Sequence, residues 1–239
     1  MADVQIDDTD GVTGGNGALS SDDRSVVATF CFVDIAGYTA LTDCHGERAA
    51  ADLVDEFVRL VHAAVESRGK VQELSGDNAF LVFPDPAFAM LALDALYASI
   101  AKLPEFPLLR SGLHHGPSLF RMNRYFGSTI NIAARASAHA EAGEIVCTAA
   151  AAQMLAAQNS TLFSIHPLGS FKLKNLPRRY ELHRITLAQV ARAIAIDPVC
   201  LMQVDTHLAT ADAWFDGKHY FFCSAKCSHR FSMTPSEFL

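Results

Sequence analysis

The chain has 239 residues, half of them hydrophobic, and a formal net charge of −7. That length holds one domain of ordinary size plus a small module, and that apolar content is enough for a real core. The acidic balance argues against a nucleic-acid partner, and no apolar run reaches the roughly 18 to 20 residues of a membrane span.

The start, Met1-Ala-Asp-Val-Gln-Ile-Asp-Asp, lacks the basic and apolar regions of a secretion signal, so a cytoplasmic chain is expected. Residues 1–25 are acidic and rich in Gly, Ser and Asp, with few large apolar side chains, and read as a flexible tail. Val26 to Val33 is β-branched and aromatic and predicts a buried strand with Asp34 at its carboxyl end, followed by a turn through Ala36-Gly37. A carboxylate there suits a hard cation, and the glycine lets backbone amides approach a phosphate.

Between Gly46 and Gly69, Ala50, Leu53, Val54, Phe57, Val61, Ala64 and Val65 form the stripe of a core-facing helix. Val71–Leu74 and Ala79–Phe83 flank Ser75-Gly76-Asp77-Asn78, a hairpin with Asp77 at its tip. Asp85-Pro86 is an N-cap and first helical residue, with the helix running through Phe88–Ile100. A strand over Leu108–His114, a helix over Ser128–Ala140, a strand over Glu144–Thr148 and a short helix over Ala149–Ala157 follow, with two or three more strands before Ile185. The order strand, helix, strand, strand, helix, strand predicts an α+β fold, a ferredoxin-like antiparallel sheet with helices on one face.

Four motifs stand in order along this frame: Phe32-Val-Asp34-Ile35-Ala-Gly37, Gly76-Asp77, Arg110-Ser-Gly-Leu-His-His-Gly116 and Phe126-Gly-Ser-Thr-Ile-Asn131-Ile-Ala-Ala-Arg135. Together they resemble the class III nucleotidyl cyclase catalytic domain, over 26–186. The resemblance implies conversion of a purine nucleoside triphosphate, ATP or GTP, to a 3′,5′-cyclic nucleotide and pyrophosphate. It implies two Mg²⁺ or Mn²⁺ ions at Asp34, Ile35 and Asp77, and a transition-state pair, Asn131 and Arg135. Their spacing of four puts that pair on one helix face. Arg110 resembles the family's triphosphate-contacting arginine, and Lys172 and Lys174 its late basic segment. The family builds its site across a homodimer, so a homodimeric partner is expected.

Two positions depart from the pattern. ATP-using relatives carry a lysine and an aspartate where this chain has Glu73 and Arg124. Glu73 is what guanylate cyclases carry, and its carboxylate can accept from guanine N1–H and the exocyclic amine; Arg124 is not. The two could instead form an ion pair that reads no base. A catalytically silent signalling domain is therefore the alternative to an enzyme.

Three of the six cysteines fall in the last forty residues, which in a cytosolic chain points to metal chemistry. After a helical-looking linker, 187–195, residues 196–239 resemble the YHS domain, a relative of the TRASH metal-binding modules, through Asp197-Pro-Val-Cys200 and Phe215-Asp-Gly-Lys-His-Tyr-Phe-Phe-Cys223. Cys200, Cys223 and Cys227 supply thiolates for Zn²⁺ or Cu⁺, with His219 or His229 available as a fourth ligand. Three buried or redox-active thiols without a metal are the alternative. Cys31, Cys44 and Cys147 read as small core residues.

Overall fold

The computed structural model describes residues 23–103, 105–158, 160–188 and 194–239. The expected tail and linker lie outside these for 1–22 and 189–193. Of the flanking residues, Arg24 and Ser25 already pair in the first strand, and Ala195 is in a strand where the sequence looked helical.

The sheet begins with β1 (Arg24–Ile35), whose alternation sends Cys31, Val33 and Ile35 to one face and Ala28 and Phe30 to the other. Two helices follow where one was expected: α1 (Tyr38–His45) and α2 (Glu47–Val65), broken at Gly46. Gly46 sits at φ 87°, outside helical space, so the chain turns there. The hairpin β2 (Lys70–Ser75) and β3 (Asn78–Phe83) then leads to α3 (Pro86–Ile100). Asp85 caps α3 as its sequence predicts, accepting from the amides of Ala87 at 2.8 Å and Phe88 at 3.3 Å.

β4 (Leu109–Arg121) runs well past its expected end, into a turn and β5 (Arg124–Phe126). Next come α4 (Ser128–Ser137), β6 (Ile145–Thr148), α5 (Ala149–Ala156), β7 (Phe163–Lys172) and β8 (Arg179–Leu187). The strand order is β2-β3-β1-β4-β6-β8-β7, with β5 folded onto β4. The part β2-β3-β1-β4 is the antiparallel ferredoxin-like unit, and its two crossover helices, α2 and α3, share one face and one core with α5.

α4 is an addition on the other face, where Ala133 meets Phe30 and Val82. It lies so close to β4 that a Cβ on Gly112 would come within 1.9 Å of the Ser137 backbone nitrogen. Gly112 is in the Arg-Ser-Gly motif for this reason, and no other residue fits.

Residues 194–239 form a compact module of β9 (Ile194–Ile196), β10 (Gln203–Asp205), β11 (Ala211–Phe215), β12 (Lys218–Phe222) and α6 (Ala225–Met233). Its apolar residues do not form a core alone. Val199, Cys200, Met202, Phe222, Cys227 and Phe231 pack with Leu41 of α1 and Ala50 of α2 in one cluster. Among the described residues, no helix is long and apolar enough to cross a membrane.

Candidate functional sites

Asp34 and Asp77 come together because β1 and β3 are hydrogen-bonded neighbours. Asp34 pairs with Asn78 in the ladder, and the Ile35 amide donates to the Asp77 carbonyl at 3.0 Å. Asp34 is buried, and its charge together with the burial of Asp77 raises the Asp77 carboxyl above the usual carboxylate range, burial being the larger cause. A cation relieves the charge that Asp34 sets against Asp77, so the donor set fits a hard divalent ion.

Arg110 stands opposite Asp34 in the β1–β4 register. Its Nε donates to Asp34 Oδ2 at 2.6 Å and its terminal nitrogen lies 2.5 Å from the same oxygen. The residue expected to meet a triphosphate thus holds the carboxylate expected to bind a metal, supplying the positive charge that a cation would.

Asn131 and Arg135 lie on α4, Asn131 exposed and Arg135 half-buried, and neither side chain bonds to another described residue. Thr129 packs beside Gly116, which pairs with Ala28. Asn131 is therefore over the early half of β1, on the order of 15 Å along the strand from Asp34 at about 3.3 Å per residue. Within one chain the carboxylates and Asn131 are apart.

Glu73 on β2 and Arg124 on β5 are both exposed, and they form no ion pair with each other. What joins their strands is the turn beside Arg124: Lys70 Nζ and Gln72 Nε2 donate to the Asn123 side chain and carbonyl, each at 2.8 Å. Lys172 donates to the Pro177 carbonyl at 2.6 Å, and Lys174 is exposed. A largely apolar cleft of about 420 Å³, between the end of α3 and β6 and β8, touches none of these residues.

A second constellation lies in the module. Cys200 and Cys223 Sγ are 3.4 Å apart, Cys223 and Cys227 3.7 Å, and His45 Nε2 is 3.3 Å from Cys223 Sγ. All four ligand atoms fall within 4.8 Å of one another. The fully buried Asp197 builds this site. Its carboxylate accepts from the Val199 and Cys223 amides, each at 2.9 Å, fastening the loop of Cys200 to the end of β12. Ser224 caps α6 through the Cys227 amide, setting Cys227 in the first turn. Hydrogen bonds from Cys200, then Cys223, hold the Cys227 thiol well below its usual range.

Neither histidine expected as a fourth ligand is in the cluster. His219 pairs with Asp212 at 2.6 Å and stacks on Trp214, and His229 is exposed. His45, from outside the module, takes that place. Sequence reasoning missed it because ligand spacing rules work within one module, and 155 residues separate His45 from Cys200.

The folded shape of the larger part is that of class III cyclase catalytic domains. It superposes on the adenylyl cyclase CyaB of P. aeruginosa with a TM-score of 0.59 at 18% identity, over 72% of this chain and 97% of that one. With the guanylate cyclase domain of RhGC from Catenaria anguillulae the TM-score is 0.59 at 20% identity, over 70% and 100%. In sequence, it is 32% identical over 126 residues to an adenylate cyclase of Glutamicibacter nicotianae, covering 52% of this chain and 31% of that protein. It is 30% identical over 128 residues to a pH-sensitive adenylate cyclase of Mycobacterium tuberculosis, covering 49% and 30%. The chain thus spans about a third of the length of these relatives. The C-terminal module is a YHS domain, whose family model matches residues 195–239.

Proposed function

We propose that the chain is a nucleotidyl cyclase that acts as a homodimer, turning a purine nucleoside triphosphate into its 3′,5′-cyclic nucleotide and pyrophosphate in intracellular signalling. The observation that carries this reading is the carboxylate pair, Asp34 and Asp77, at adjoining strand ends, with a cation-like Arg110 already on Asp34. Its complement is the Asn131–Arg135 face of α4, of which Asn131 stands about 15 Å along the strand from Asp34 in the same chain. A two-fold partner would supply the missing half of each site.

In the reaction the ribose 3′-oxygen bonds to the α-phosphorus, the bond to the pyrophosphate oxygen breaks, and the hydroxyl proton leaves to solvent. Asp34 and Asp77, with the Ile35 carbonyl, would hold two Mg²⁺ or Mn²⁺ ions, whose chemistry is to neutralise the phosphates and acidify the attacking hydroxyl. Arg110 moves its guanidinium from Asp34 to the triphosphate once the carboxylate has another cation. Asn131 orients the ribose, and Arg135 bears on the charge that grows on the transferring phosphoryl group. Lys174 is placed near the phosphates by the resemblance alone. Glu73 and Arg124 form no ion pair among the described residues, which leaves Glu73 able to meet a base. The three cysteines make the module a metal-responsive element.

The test is cyclic nucleotide formation from ATP and from GTP, in Mg²⁺ and in Mn²⁺, beside Asp34→Ala. Turnover is expected with one base, falling by more than about 1,000-fold in the variant. No product from a folded dimer with either nucleotide would favour the silent signalling domain instead.

A further inference from the structure

The module and the catalytic part meet along a continuous set of contacts, and the four-residue cluster sits in the middle of it. On one side, the backbone of 105–108 is zipped to the module. Leu108 N donates to the Leu201 carbonyl, Glu105 N to that of Gln203, and Gln203 N to that of Phe106, each at 3.1 Å. On the other side, α6 reaches α1: Lys226 donates to the Asp43 carbonyl, and Arg230 lies 3.4 Å from Cys44 Sγ. Between them, Gly37 adopts φ 73° and packs so tightly that a Cβ there would be 3.0 Å from the Cys200 carbonyl oxygen. The turn after Asp34 thus rests on the backbone of a cysteine of the cluster.

We propose that His45, Cys200, Cys223 and Cys227 are the four ligands of one zinc ion that joins the YHS domain to α1 of the catalytic part. Three thiolates and an imidazole form a closed tetrahedral set of the kind structural zinc takes. With Zn–S near 2.3 Å, the edge of such a tetrahedron is about 3.8 Å. The three spacings to Cys223, 3.3, 3.4 and 3.7 Å, lie just inside that edge and the whole set falls within 4.8 Å, so the ligands need only small adjustments to coordinate. Cys200 and Cys227 are buried in the shared apolar core, while His45 and Cys223 are half-buried beside it. Zinc with three thiolates carries one net negative charge, and Lys226 and Arg230 are the cations beside it.

The ion has a consequence that an ion held by the module alone would lack. His45 ends α1 and Asp34 is the last residue but one of β1, so the segment between them is anchored at the zinc and by the Gly37–Cys200 contact. The Ala36 amide donates to the Leu108 carbonyl at 2.8 Å, and the Leu108 amide donates to Leu201 of the module, so the turn and the docked module move as one body. Zinc occupancy fixes the segment that carries Asp34, whether or not the chain turns over a nucleotide; the proposal does not rest on cyclase activity.

The experiment is zinc titration of the metal-free full chain against a chromophoric chelator, for wild type, His45→Ala, His229→Ala and Cys227→Ser, with circular dichroism on each to establish folding. It is paired with hydrogen exchange over 36–45 with and without zinc, and with Co²⁺ spectra. Wild type and His229→Ala are expected to bind one equivalent with equal affinity. Loss of a group merely supporting a ligand costs about 10- to 100-fold in affinity, so His45→Ala should lose more than about 100-fold. Its Co²⁺ spectrum should shift as one nitrogen ligand is lost, and zinc should slow exchange over 36–45 in wild type but not in His45→Ala. Equal zinc affinity and an unchanged Co²⁺ spectrum in a folded His45→Ala chain would confine the metal to the module and overturn the proposal. So would a wild type that binds no zinc.

Discussion

Two candidate sites sit at the two ends of the stretch from Asp34 to His45, and they are built on opposite plans. The site around Asp34 and Asp77 is set by strand register: its side chains are where they are because β3 and β4 pair on either side of β1. The residues that would complete it, Asn131 and Arg135, are on α4, with Asn131 over the early half of β1. The cysteine site is set against a shared core that buries Cys200 and Cys227, and it is completed by a half-buried histidine from the other part of the chain. A site made by register can be left half-built, because the sheet holds it whether or not a partner arrives. A small module has no such scaffold, and a core of eight residues shared with α1 and α2 needs its staple.

If that contrast is right, damage to the two sites should separate. The largest effect is on metal content: Cys223→Ala with Cys227→Ala should take bound zinc or copper from about one equivalent to none, read by elemental analysis. The sheet, which shares none of those ligands, should keep its helix and strand content by circular dichroism. Next is Gly112→Ala, which forces α4 off β4 and should cost about 3 kcal/mol in denaturant unfolding, at the upper end of overpacking effects. It should also lower turnover by displacing Asn131 and Arg135 while leaving metal in the module unchanged.

The smallest effect is a pH dependence of the sheet. Burial first, and then the charges of His115 and Arg178, push His114 down to about 4 from its usual 6.5. It stays neutral in the fold, donating or accepting at Thr148 Oγ1 at 2.6 Å. The unfolded chain binds its proton first as the pH falls, so stability is full above about 6.5 and lost between there and about 4. At roughly 1.4 kcal/mol per pH unit the loss is at most about 3.5 kcal/mol. Urea midpoints across that range should fall in wild type and fall less in His114→Gln.

Much of this was legible in the sequence because the governing signals are local. The β-branched run to Val33, the Gly76-Asp77 tip, the Asp85-Pro86 cap and the spacing of Asn131 and Arg135 each state a rule that the fold obeys. The motifs also place Asp34 and Asp77 as partners. What was not legible depends on register and docking. Nothing in Arg110-Ser-Gly says that this arginine lies across from Asp34, since only the β1–β4 pairing decides it. The separate helix α1 was hidden because Gly46 interrupts a stripe that otherwise continues. His45 carries no spacing signal, and the module's own histidines, His219 and His229, were the natural candidates until docking brought another.

The most direct measurement mixes two inactive variants. Asp34→Ala lacks one half of the proposed site and Asn131→Ala the other, so each homodimer should be inactive, while every mixed dimer has one intact site and one doubly damaged site. Unfolding and refolding the two together in equal amounts should restore about a quarter of wild-type cyclic nucleotide formation, since about half of the dimers are mixed and each has one working site of two. A folded, dimeric mixture of the two that makes no product, alongside an active wild type, would contradict a site shared between chains.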